Sequence, residues 1–590
     1  MNLTNFLKQT DAITAQYSAG QLSSFIHEIG RILPEPHRED FLERLKAAGS
    51  NATKAPQEES AAPAEFEKMY KLVKENLKRI DSQEITLESK LNEEYDDWYN
   101  SGVDEFFYMD SKGISEMLEQ ACSFVHTCMD IERYQEGFKI GYQLFSMEIL
   151  CESEYGDEEF SIEDMALHDF LESDLIQVAL DTAYCAYHAV TLKKRPESLY
   201  RVIENSKKNE IMLETIMQHG DDELPDFQDF LPLWIAYLGE KTDRTAERLI
   251  LEAVSLLNDL TLETRYAEQY ASVHPGLYLN ILKNTEFKNA HSLIELGMEA
   301  INRIPKKYMI RSEIALKTAE CMLKAGMKPH MVQKCYFAAY ESDTSAVNYL
   351  RVLLNGYGTT EKKETLSRVF RAFDTGKSTA SYGIYSGGSS HSEREENRPD
   401  RNMIFMLRFL NGQFDEVLSD GLGHSQSLGW TGTFMKQGIA LYLLTLNNGP
   451  WFMEGLIRME EIVRTAMNFS AEQYRSGTDE SVEQSDKEVF HKVFLMWKAV
   501  EPMAPKVRER AIKRITNLLE KRTEAIIAAN RTNYYRECAA YIAALGEVRE
   551  SLGEPGAKQR LLSSYKDKYS RRSAFRAALR DYGWIDVKKK

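Results

Sequence analysis

Proline and glycine are sparse, 15 and 32 among 590 residues. Few positions therefore interrupt a helix, and an all-β chain, which needs far more turn chemistry, is disfavoured. Cysteine is also sparse. The seven (Cys122, Cys128, Cys151, Cys185, Cys321, Cys335 and Cys538) are odd in number and widely scattered, which excludes a disulfide framework and fits a reducing compartment. The most apolar stretch, GIALYLLTLNNGPWF, is shorter than the roughly 20 residues a membrane span requires and ends in Asn, Gly and Pro. The first residues, MNLTNFLKQTDAITAQYSAG, show neither the basic nor the apolar region of a secretory signal, so a cytoplasmic protein without membrane contact is expected. Catalytic signatures are missing too: the sequence holds no P-loop, H-E-x-x-H, C-x-x-C, G-x-S-x-G or EF-hand string. A noncatalytic protein without a cofactor is the expectation.

What is present is helical periodicity. Hydrophobic residues make up 43% of the chain and charged residues 28%, so most of it should fold. In NAHSLIELGMEAINRIP, Leu293, Leu296, Ala300, Ile301 and Ile304 share one helix face and Pro305 ends it. In RSEIALKTAECMLKAG, Ala315, Ala319, Met322 and Leu323 form the next stripe, and Gly326 is placed for the left-handed turn after a helix. Near the end, Tyr535, Cys538, Ile542, Leu545 and Leu552 share a face, with Gly553 as the stop. A pair of such helices cannot cover its own apolar faces, so further pairs must stack on it. The fold class expected is all-α, an irregular α-solenoid of stacked helical hairpins, TPR-like but without a strict repeat.

The organisation reads as five segments. Residues 1–46 form a small helical unit, with Leu22, Phe25, Ile26, Ile29 and Ile32 at helical spacing before Pro34 and Pro36. Residues 47–65, AAGSNATKAPQEESAAPAE, read as a flexible linker. A helical-repeat array covers 66–372, a flexible Gly- and Ser-rich loop 373–402, and a C-terminal helical array with a basic tail 403–590.

Charge is unevenly placed. The net charge is -18, yet residues 506–590 carry 21 basic and 10 acidic side chains. The acid is densest in ESKLNEEYDDWYNSGVDEFFYMD and CESEYGDEEFSIEDMALHDFLESD. In the basic tail Arg571, Arg572, Arg576 and Arg580 are the candidate contacts to phosphate or to an acidic partner. The alternative is an ordinary amphipathic helix docked on the chain's own surface, with Lys588, Lys589 and Lys590 as a frayed end.

Other constellations have plainer readings. Cys122 and His126, with Cys185 and His188, have the helical spacing of a zinc site if their helices meet; a helical core uses the same residue types. Gly421, Gly423, Gly429 and Gly432 precede a helix, but their spacing is that of an interhelix connection rather than a phosphate loop. Arg31 and His37 repeat an R-x5-H spacing of some helical ribonucleases, interrupted here by Pro34 and Pro36, so a turn is expected. Glu93, Glu94, Asp96 and Asp97 read as solvated surface that a cation or a basic partner could use.

Several strings in the second half resemble the helical region of bacterial SWIM zinc-finger proteins: NAHSLIELGMEAINRIPKKYMIRSEIA (289–315), FAAYESDTSAVNYLRVL (337–353), SLGWTG (427–432), YYRECAAYIAALGEVRESLG (534–553) and KDKYSRRSAFRAALRDYG (566–583). That family takes its name from a C-x-C…C-x-H zinc module near the N-terminus. This sequence has no cysteine before Cys122 and no C-x-C, so the resemblance implies the helical scaffold alone. The function expected is a noncatalytic protein-interaction scaffold; the alternative is a nucleic-acid-associated protein binding through the basic C-terminal helices.

Overall fold

A computed structural model describes residues 62–91, 106–154, 156–220, 223–285, 290–355, 360–373, 393–423, 426–450, 453–476 and 485–585. The expected N-terminal unit, Arg31, His37, Glu93, Glu94, Asp96, Asp97 and the three terminal lysines lie outside these residues. The chain divides into two compact bodies, one reaching Phe124 and including Met147–Glu172, the other made of Val125–Ser146 and Ser173 onward. Helix dominates, as the periodicity predicts, and among the described residues no helix is long and apolar enough to cross a membrane.

The first body departs from the expected helical-repeat array over 66–372. Its helix Ala62–Asp81 begins inside the stretch read as a linker, and four short strands follow: β1 (Leu87–Leu91), β2 (Phe106–Met109), β3 (Ile149–Glu152) and β4 (Glu158–Phe160). They form one sheet in the order β2-β1-β3-β4, with β1 parallel to β3 and the other pairings antiparallel. Leu87, Ile149, Cys151 and Phe160 point into the core and β2 buries no residue fully, so a strand gives the alternation at most one or two buried apolar positions. A signal that short, among acidic residues, is not seen by a search for period 3.6.

In the second body helix Ile310–Lys324 packs on both its sequence neighbours, Ala290–Arg303 and Pro329–Ser342. Helix Ala290–Arg303 buries the predicted Leu293, Leu296, Ala300 and Ile301, with Ile304 just beyond it. Helix Ile310–Lys324 buries Ala315, Ala319 and Met322, while Leu323 is half-buried; Gly326 takes the expected left-handed turn. The apolar GIALYLLTL run lies in helix Met435–Leu446, buried on every side from Gly438 to Leu446. Helix Tyr535–Ser551 buries Tyr535, Cys538, Ile542 and Leu545, but Leu552 lies past its end and is exposed.

Close approach between paired helices is set by glycine. A Cβ on Gly297 would sit 2.0 Å from the Thr318 hydroxyl, and one on Gly455 would sit 2.4 Å from the backbone nitrogen of Ala544. The Thr318 hydroxyl could turn aside but its Cβ, 2.9 Å away, could not, and neither can a helix backbone. Gly455→Ala is therefore expected to destabilise the C-terminal helices by about 2–3 kcal/mol, read as a lower urea midpoint for their unfolding.

The segment 373–402, expected to be a loop throughout, has an anchored end. Residues 374–392 lie outside the described residues, but 393–398 dock on the helices. Asn397 donates its N–H to Lys307 O (2.7 Å) and binds Thr344 through both amide atoms, while Met309 N–H donates to Glu395 O (2.8 Å). Glu393 is buried, and its Oε2 accepts the Gly276 N–H at 3.1 Å.

Candidate functional site

The first body has an open cleft, about 390 Å3 in volume, lined by Tyr108, Glu158, Glu159, Phe160, Asp164 and His168. Its floor is aromatic. Tyr108, on edge strand β2, meets Phe160, on the other edge strand β4, with ring centroids 4.8 Å apart, and His168 lies 4.5 Å from Tyr108 and 5.4 Å from Phe160. Strand periodicity places Glu158 on the same face of β4 as Phe160, and Tyr108 donates its hydroxyl to Glu158 Oε2 at 3.2 Å. Burial, then the Glu158 carboxylate, hold the Tyr108 phenol above its ordinary range, so it stays a neutral donor.

The third wall is built by a helix start. Ser161 caps helix Ile162–Leu167: its hydroxyl oxygen accepts the Asp164 N–H (3.3 Å), and Asp164 Oδ2 accepts the Ser161 N–H (2.8 Å) and hydroxyl (2.7 Å). Asp164 is thus committed to the turn, while Glu158 and Glu159 are exposed. Leu167, next to His168, is 76% exposed, an apolar residue beside an acidic cleft. The two exposed carboxylates, Glu158 and Glu159, beside a ring floor suit a cation, above all a guanidinium, which lies on aromatic faces and offers paired donors to carboxylates. The lining contains no thiol, serine or threonine that would serve as a nucleophile.

The residues singled out in the sequence are dispersed into structural roles. His126 Nδ1 lies 3.0 Å from Asp181 Oδ2 and His219 Nε2 2.5 Å from Asp181 Oδ1, so one buried carboxylate ties three helices. Cys185 is pressed with Cys128 against Gly137, and burial pushes the Cys128 thiol up to about 12. His188 packs on Tyr134 and Tyr184, each 4.5 Å away. Cys122 is buried. Among the described residues no group of three or more His, Cys, Asp or Glu is arranged to hold a metal ion.

The glycine-rich connection is held from outside. Arg522, buried, donates to Ser427 O (2.9 Å) and Leu428 O (2.7 Å), lies 4.8 Å from the Trp430 ring and pairs with Glu537 at 3.0 Å. Gly421 ends a π turn, Val417–Gly421, and Gly432 has φ of +74°. In the basic tail, Arg572 donates to Asn530 Oδ1 (2.9 Å) and Ile527 O (3.3 Å), closing the end of helix Pro505–Ala528. Arg580 lies over Trp584 at 5.5 Å, Arg576 is half-buried, and Arg571 is exposed. The four do not converge on one feature.

The cleft itself was missed because its walls come from residues 50 apart in sequence. The signal that could have found it is the second acidic stretch, whose CESEYGDEEFSIEDMALHDF carries five of the six lining residues.

No protein-family profile and no curated protein matches the chain. Among solved structures, similarity is found to a protein described as a circular tandem repeat protein with novel repeat topology and enhanced subunit contact surfaces, at 11% identity over 89% of this chain and 98% of that one, with a TM-score of 0.16.

Proposed function

We propose that this protein is a noncatalytic, cytoplasmic interaction scaffold whose sheet-containing first body carries an acidic cleft for a basic segment of a protein partner. The observation that carries the reading is the ring-floored, carboxylate-walled cleft at Tyr108, Glu158, Phe160 and His168. A flexible segment bearing Arg, with an apolar neighbour to cover Leu167, is the partner chemistry that fits. The similarity of the second half to the helical region of SWIM proteins accords with a scaffold and contributes no site residue.

The alternative, nucleic-acid binding through Arg571, Arg572, Arg576 and Arg580, draws less support because Arg572 is already engaged within the chain. Affinity capture from native cells, with and without nuclease, separates the two. The scaffold reading expects a stoichiometric partner that survives nuclease and is lost from Glu158→Lys/Glu159→Lys. Nucleic acid released by salt, with no such protein, overturns it in favour of the basic tail.

A further inference from the structure

Three helices of the second body bring three sulfur atoms together. Cys335 Sγ, on helix Pro329–Ser342, lies 3.8 Å from Met298 Sδ on helix Ala290–Arg303 and 3.9 Å from Met322 Sδ on helix Ile310–Lys324. A thiol has one hydrogen and can direct it at one of these acceptors only. The second close approach is therefore not the product of a hydrogen bond. Gly297 lets the first two helices approach closely, since any side chain there would strike Thr318, and this places the adjacent Met298 at the cluster.

The spacing has a coordination meaning. With metal–sulfur bonds of about 2.3 Å, a trigonal plane of three sulfurs has edges of about 4.0 Å. The two edges measured at Cys335 are within a few tenths of that. We propose that Cys335, Met298 and Met322 form a binding site for a soft monovalent d10 cation, copper(I) or its analogue silver(I).

Softness and charge both favour this class. Thioethers and thiolates select copper(I) over harder ions. Cys335 is fully buried and Met322 nearly so. A single thiolate with a monovalent cation makes a neutral unit that such a site tolerates, whereas a divalent ion would leave an unbalanced charge in a low dielectric. Binding forms the metal–sulfur bond, breaks the S–H bond and releases one proton to solvent, with no change of oxidation state. Half-buried Met298 is the side from which the ion enters.

The test titrates the full chain with copper(I), without oxygen, against a competing copper(I) chelator. Because all seven cysteines are buried and none is in a disulfide, the decisive quantity is a difference between variants rather than a total. Wild type should bind one equivalent more tightly than Met298→Leu/Met322→Leu, by about a hundredfold or more, and absorption spectroscopy should place sulfur about 2.3 Å from the metal. The leucines conserve volume, so the core should persist. Cys335→Ser should lose the same equivalent; if that variant does not fold, the leucine pair still decides. Equal binding by wild type and the leucine pair, or no tight equivalent in wild type, overturns the proposal.

Discussion

Replacing Glu547 with alanine is expected to cost about 3–5 kcal/mol, because it removes the buried partner of a buried cation and leaves a helix start without its acceptors. The carboxylate is almost fully buried; it accepts the N–H groups of Gly455 (3.1 Å) and Leu456 (2.8 Å) and the Lys558 ammonium (2.8 Å). Glu454, which begins the helix Glu454–Ala466, holds the same ammonium at 2.9 Å. One residue thus joins three helices. Burial alone would lower the Lys558 pKa, but hydrogen bonds to Glu547 and Glu454 hold it above its ordinary value. A lysine raised in the fold stabilises fully below its unfolded pKa, and that contribution is lost only as pH rises through the folded value. The junction should therefore be intact at neutral pH. Hydrogen exchange at the Gly455 and Leu456 amides checks this: protection should collapse in Glu547→Ala and persist in Glu554→Ala, an exposed site expected to change stability by less than about 0.5 kcal/mol. Equal protection in both variants would contradict it.

The second large effect is pH-dependent. Glu393 is the buried foot of the docked segment; its surroundings are Glu247, which accepts its N–H at 3.4 Å, Arg394, which lies 3.6 Å from Glu247, and His274, whose Nδ1 is 4.0 Å from its Oε2. Burial, reinforced by Glu247 and opposed by the Gly276 amide, pushes the Glu393 carboxyl up to about 8. His274 is itself fully buried, with burial lowering its pKa, and so offers no compensating charge. For an acid raised in the fold, the native state keeps a proton that the unfolded chain releases. Stability therefore falls as pH rises from the ordinary glutamate range to about 8, then levels off. The loss should be on the order of 5 kcal/mol. Glu393→Gln resembles the protonated form, so its urea midpoint should vary less with pH and exceed that of wild type at alkaline pH. Parallel pH profiles for the two proteins would refute the assignment.

The contrast between these residues shows what a sequence conveys. The helix faces at 289–324 and the Tyr535 stripe were legible because burial repeats every three to four residues over several turns. The sheet was not, since strands of three to five residues give at most one or two inward positions each, and β1 reads as LESKL with charges at two of five. Leu552 continued the stripe by spacing, yet the chain leaves the helix at Ser551 before it. Glu393 stood in a polar tract whose composition describes its surroundings rather than its own contact with Gly276, 117 residues away. Asp181, Glu547 and Arg522 were silent for the same reason: a buried charge is identified by the partners it meets, and those come from other helices. The cleft lies between these cases. Its acid was visible in the sequence, but the ring floor required Tyr108 to cross the sheet to Phe160.

The scaffold reading depends most directly on the cleft accepting a basic segment. We would present a random peptide library to the immobilised full chain and to Glu158→Lys/Glu159→Lys, and sequence what is retained. The account predicts enrichment of Arg over Lys, with an apolar residue nearby, in the wild-type pool alone, and binding that weakens with salt. Retention of the same peptides by both proteins, or enrichment without basic residues, would contradict it.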